Sequence, residues 1–146
     1  MEKKLYYKVV QRATSSHETH LVSCITGSPD VDTNLRGPQA VIYKIGKWAR
    51  PNIEKSKLFV FAKFDDAYEF ADGQKVIYPL SIYQCEVINP KRITTVLAIY
   101  QSGPDKIEQF WRNHWKQLPQ LQYQIAPHGT LTVSAVKLMS CFKTFM

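Results

Sequence analysis

The chain has 146 residues, of which 45% are apolar, 21% charged and 12% aromatic, and its 19 lysines and arginines outnumber 12 acids for a formal net charge of +7. That composition buries a core and excludes a disordered or low-complexity chain, and the length suits one domain. No apolar run approaches the roughly 18 to 20 residues of a membrane helix, and the charged opening Met1-Glu2-Lys3-Lys4 passes straight into strand-like sequence rather than a secretory signal.

In chain order, residues 5–11 are rich in β-branched and aromatic residues and predict a strand. A polar stretch over 13–20 predicts a loop, followed by a short strand over 21–25. Residues 27–38 are dense in turn formers. A strand over 40–45 ends at Gly46, and 47–57, with Trp48, Pro51 and several bases, predicts an irregular connection. Leu58–Phe61 is wholly apolar and predicts a central strand. Asp65 and Asp66 then open a short helix: Asp66 stands as its cap, Glu69 in capping-box register, Phe64, Ala67, Phe70 and Ala71 on its buried stripe, and Gly73 as its stop.

Strands are expected over 76–78 and 82–88, a turn at Asn89-Pro90, and a further strand over 93–100. The clearest helix starts at Ser102-Gly103-Pro104-Asp105 and runs over 105–118 to Pro119, with Ile107, Phe110, Trp111, His114, Trp115 and Leu118 on one stripe. Strands over 121–126 and 130–138 flank Pro127-His128-Gly129. The expectation is an α+β fold: one globular domain over 1–146, with a mostly antiparallel sheet of about eight strands and two helices.

Few residues offer chemistry at workable spacing. His17 and His20 are three apart, whereas a zinc-binding His-Glu-x-x-His helix needs four, so that segment reads as a solvated loop. His114, between Trp111 and Trp115, reads as packed on aromatics, and His128 as a turn residue. Cys24, Cys85 and Cys141 match no metal or Cys-x-x-Cys spacing. Cys24 and Cys85 lie in strand-like runs and predict buried free thiols in a reducing compartment. Asp65, Asp66, Glu69 and Asp72 predict a solvated helix face. Glu86, inside an apolar strand, is expected on an exposed sheet face rather than in a cleft. With no nucleophile elbow, phosphate-binding loop or dinucleotide fingerprint, neither catalysis nor a cofactor nor a metal is expected.

Charge is the strongest signal. Residues 40–63 hold Lys44, Lys47, Arg50, Lys55, Lys57 and Lys63 against the single acid Glu54, and 109–146 hold Arg112, Lys116, Lys137 and Lys143 with no acid. Such a surface attracts polyanions. Aromatics interleave with bases at Tyr43-Lys44, Lys47-Trp48 and Trp111-Arg112, a pattern that suits stacking of single strands. Alternatively, these aromatics are core and the lysines serve solubility. The candidate binding residues are Lys44, Lys47, Trp48, Arg50, Lys55 and Lys57, and the expected partner is an acidic protein or nucleic acid, held by non-specific electrostatics, with no membrane. Exposed sheet edges would also permit a homodimer.

Four blocks, Tyr7-Lys8-Val9-Val10, Tyr43-Lys44-Ile45-Gly46-Lys47-Trp48, Leu58-Phe59-Val60-Phe61 and Cys85-Glu86-Val87-Ile88-Asn89-Pro90, resemble in this order small uncharacterised proteins of large DNA viruses, especially the Marseillevirus group, and of some phages. The similarity covers residues 5–92, and 64–73 match that group's short Asp-Asp-Ala helix. The resemblance implies a viral protein, in the virion or in the host cytoplasm or nucleus, and carries over no catalytic residue. The strand, short helix and strand over 58–88 are also loosely similar to the core of ADP-ribosyltransferase domains. That likeness implies an alternative in which Glu86 or Glu69 acts on NAD, although no Arg-Ser-Glu or His-Tyr-Glu set can be assigned.

Overall fold

Polar residues lengthen the first strand well past the apolar run that announces it. A computed structural model describes residues 4–15, 18–23, 41–52, 56–74, 79–97, 109–112 and 123–145. In it β1 (Tyr6–Ser15) pairs antiparallel with β2 (Glu18–Ser23) in the register Ser15↔Glu18, Thr14↔Thr19 and on to Val10↔Ser23. The polar stretch expected as a loop is therefore mostly hairpin. Backbone pairing needs no alternation of apolar side chains. His20 lies in β2 opposite Ala13, while His17 and Cys24 fall outside the described residues.

The other edge of β1 pairs with β6 (Leu80–Ile88) from Tyr6↔Cys85 to Gln11↔Leu80. Beyond β6 comes β11 (Ala135–Thr144), and β11 carries the short β4 (Trp48–Ala49). β2 carries the equally short β3 (Ile42–Tyr43). The path β3-β2-β1-β6-β11-β4 thus begins and ends at the two arms of one tight turn, so the sheet curls back on itself. β5 (Leu58–Phe61) meets β1 at Tyr7↔Phe61 and pairs with β10 (Thr130–Val133), which pairs with β7 (Lys91–Arg92). β8 (Thr95–Leu97) and β9 (Tyr123–Ile125) form a separate two-stranded sheet. Every pairing among the described residues is antiparallel, and with α1 (Phe64–Gln74) and a helical stretch at 109–112 the α+β class holds.

The period-2 alternation of β1 and β6 separates two apolar clusters. Val10, Tyr83 and Cys85 face inward with Tyr43, Leu58, Val60, Val133, Val136 and Leu138. Val9, Leu80 and Ile82 face the other way, under Ala67 and Ala71 of α1 and beside Phe61 and Phe145. Two alanines at that interface let the helix backbone lie close to the sheet, and each fully buried Leu or Ile there contributes about 1.5 to 3 kcal/mol.

Several boundaries differ from expectation. α1 begins at Phe64, so Asp65 and Asp66 sit in its first turn, where their charge favours the helix dipole, and Asp66 is not the cap. The helix runs through Gln74, one residue past the expected stop at Gly73. The stretch 47–57 contains β4, because Trp48 and Ala49 find a partner far along the chain in β11. β11 continues beyond Leu138 to Thr144, with register shifts between Leu138 and Ser140 and between Cys141 and Lys143. Of the helix expected over 105–118, residues 109–112 are helical, with Phe110 buried and Trp111 half-buried; His114 and Trp115, and the strand expected over 76–78, lie outside the described residues.

Candidate polyanion-binding surface

Lys44-Ile45-Gly46-Lys47 forms the turn that closes the curled sheet. The Lys47 amide donates to the Lys44 carbonyl at 3.0 Å, and Gly46 takes the positive φ (80°) that such a turn requires at its third residue. The Gly46 amide also donates to the Leu138 carbonyl at 2.7 Å, which ties the turn to β11. Lys44, Lys47, Trp48 and Arg50 are all exposed along this turn and the short strand that follows it. Lys57 is exposed just ahead of β5 and donates to Ser134 Oγ at 3.3 Å, whereas Lys55 lies outside the described residues.

Trp48 lies opposite Lys137, and Lys137 lies opposite Glu86, in one row across β4, β11 and β6. The Lys137 ammonium is 5.1 Å from the Trp48 ring centroid and 3.4 Å from Glu86 Oε2. Glu86 is therefore buried, at 7% exposure, and not on an open sheet face as its neighbours in the sequence suggested. Its partner Lys137, on the neighbouring strand β11, is too far along the chain for local alternation to reveal. Of the other aromatics interleaved with bases, Tyr43 is buried in the inward cluster, and Trp111 packs on Phe59 (5.8 Å) and Phe110 (4.8 Å). Only Trp48 of these three belongs to the surface, at 43% exposure.

A second group of aromatics on the same side of the sheet escaped the sequence reading. Phe142 meets Tyr7 (centroids 5.6 Å apart) and Phe64 (5.0 Å), and Phe64 meets Tyr68 (5.9 Å). Phe142 is 51% exposed and Lys143 beside it is exposed. The signal was the aromatic–base pair Phe142-Lys143, which lay beyond the expected end of the last strand.

The inward cluster holds a buried lysine. Lys8 alternates into it with Tyr6 and Val10, donates to the Phe59 carbonyl at 2.7 Å and lies 5.5 Å from the Tyr43 ring centroid. Cys85 is fully buried as expected, and burial, offset in part by Lys8, pushes its thiol up to about 12; Cys141 is exposed. His128 is exposed, 3.9 Å from Asp66. Among the described residues no group of three or more His, Cys, Asp or Glu could hold a metal ion, and no helix is long and apolar enough to cross a membrane. Comparison with known protein families, with curated proteins and with solved structures gives no match.

Proposed function

We propose that the chain is a binding protein without catalytic activity, and that the turn between β3 and β4, with the bases beside it, holds an acidic partner. The observation that carries this reading is the gathering of Lys44 and Lys47 on one turn pinned to β11 through the Gly46 amide, with Arg50 just past the short strand that follows, all three exposed. Charges fixed on a tied-down turn lose less freedom on binding than the same charges on a loose loop, and the excess of bases supplies the steering field. The resemblance to viral proteins supports a viral or host partner. The reading through an NAD-consuming enzyme gains no support from Glu86, whose carboxylate is buried against Lys137.

Charge removal tests the proposal directly. The triple variant Lys44→Gln/Lys47→Gln/Arg50→Gln is expected to leave an anionic heparin column at lower salt than the parent. On duplex DNA its log–log salt slope should become shallower by about 0.9 for each phosphate that the variant no longer neutralises. Equal elution and equal slopes would place the binding charges elsewhere on the molecule.

A further inference from the structure

We infer that the outward face of β11, between Phe142 and Trp48, is a stacking platform for single-stranded nucleic acid. The inference rests on the reading of the β3–β4 turn as an acidic-partner site and names that partner.

Phe142 lies within the second register shift of β11, between Cys141 and Lys143. A bulge of this kind re-aims a side chain and breaks strict alternation. Here it presents a ring that is 51% exposed, supported from below by Tyr7 and Phe64. A ring that simply completed the core would be covered, whereas this one stands on other rings with half its surface open. Trp48, 43% exposed, offers the second ring, and the Lys137 ammonium lies over one of its faces, 5.1 Å from the centroid. At about 3.3 Å per residue, the register along β11 and β6 sets the backbone positions of Phe142 and of Lys137, opposite Trp48, roughly 10 to 16 Å apart, a span of a few nucleotides.

Charge selects the occupant. Lys143 adjoins Phe142, and Lys44, Lys47 and Arg50 flank Trp48 at the far end, so bases stand beside both rings. The acid in the Trp48 row, Glu86, is buried and paired with Lys137 at 3.4 Å, and the exposed acids Asp65 and Glu69 belong to α1. Unstacked bases offer π-faces to open rings, and duplex DNA keeps those faces inside its stack. An acidic protein surface would use the charges and leave the rings idle. Ring pairs with flanking cations therefore fit a single strand better than either.

The test is fluorescence anisotropy with a labelled oligothymidylate of about 12 nucleotides, within the usual site size, and with a duplex of equal length. The parent should prefer the single strand. Phe142→Ala and Trp48→Ala should each weaken single-strand binding roughly 5- to 150-fold and leave duplex binding unchanged, and Phe142→Trp should restore it. Both rings are exposed, and matching thermal melts would confirm that the variants fold. Unchanged single-strand affinity in Phe142→Ala, or equal losses on single strand and duplex, overturns the inference. If polyglutamate or duplex binds through the turn lysines while single strands gain nothing from the rings, the turn reading stands and this one falls. Absence of binding to every polyanion removes both.

Discussion

Cys85 shows how much one buried atom can report. Its thiol is pushed from the ordinary 9.0 to about 12 by burial, with Lys8 pulling weakly the other way. Below pH 9 the thiol is neutral in both the folded and unfolded chain, so its full contribution to stability is present there. Between 9 and about 12 the unfolded chain ionises and the folded one does not. The unfolded state then binds fewer protons, and stability falls as pH rises, by about 1.4 kcal/mol per pH unit. Urea unfolding across this window should show that extra slope in the parent and lose it in Cys85→Ala; parallel curves would mean that the thiol is reached by water. Burial of Cys85 was readable from the apolar strand around it. The inward position of Lys8 was not, because a lysine in a strand reads as outward until its partner, the Phe59 carbonyl, is known.

At the scale of elements, the seat of α1 depends on a turn more than 50 residues further along the chain. Asp66 in the first helical turn lies against Gly129, whose φ is 80° and where any Cβ would fall on the Asp66 carboxylate. Gly46 has the same φ but open space around it. Gly46→Ala should therefore cost only the left-handed backbone term, about 1 kcal/mol, whereas Gly129→Ala adds displacement of Asp66 and should cost about 2 to 3 kcal/mol. Adding Asp66→Ala should recover part of the second loss and none of the first, a coupling that thermal melts of the double variants would read. Equal losses at the two glycines would show that Asp66 yields freely. The helix itself was legible because Phe64, Ala67, Phe70 and Ala71 repeat at its period. The ends of strands were less so: β4 is two residues long, the sequence over 13–20 is polar with no apolar alternation, and the bulges of β11 break the alternation that would have marked it. The candidate surface was found in part for the same reason. The bases of the β3–β4 turn are contiguous in sequence, while Lys137, Phe142 and Tyr7 join the surface only through pairings between distant strands.

For the molecule as a whole, the closing of the sheet ties its stability to β11. That strand covers one edge of β6, carries β4, accepts the Gly46 amide through Leu138, sends Val136 and Leu138 into the inward cluster and leads directly to Phe145 under α1. Both clusters therefore draw on the same C-terminal stretch of chain, through Val136 and Leu138 for the inward one and Phe145 for the other, so each gains from the docking of β11. This coupling predicts one unfolding transition, seen alike by tryptophan fluorescence and far-ultraviolet circular dichroism in urea. Leu138→Ala, which empties a fully buried site, should cost about 2 to 5 kcal/mol of stability, lower the midpoint accordingly and keep the two probes coincident. A chain stopped at Val133 should show no cooperative transition at all, since it bares β6 along its length and removes a wall from each cluster. Its failure to fold would show that the ring of strands is one cooperative unit. A truncated chain that still melts sharply, or two separated transitions in Leu138→Ala, would show instead that the β1–β2 and β5–β10 pairings form an independent core and that β11 only covers it.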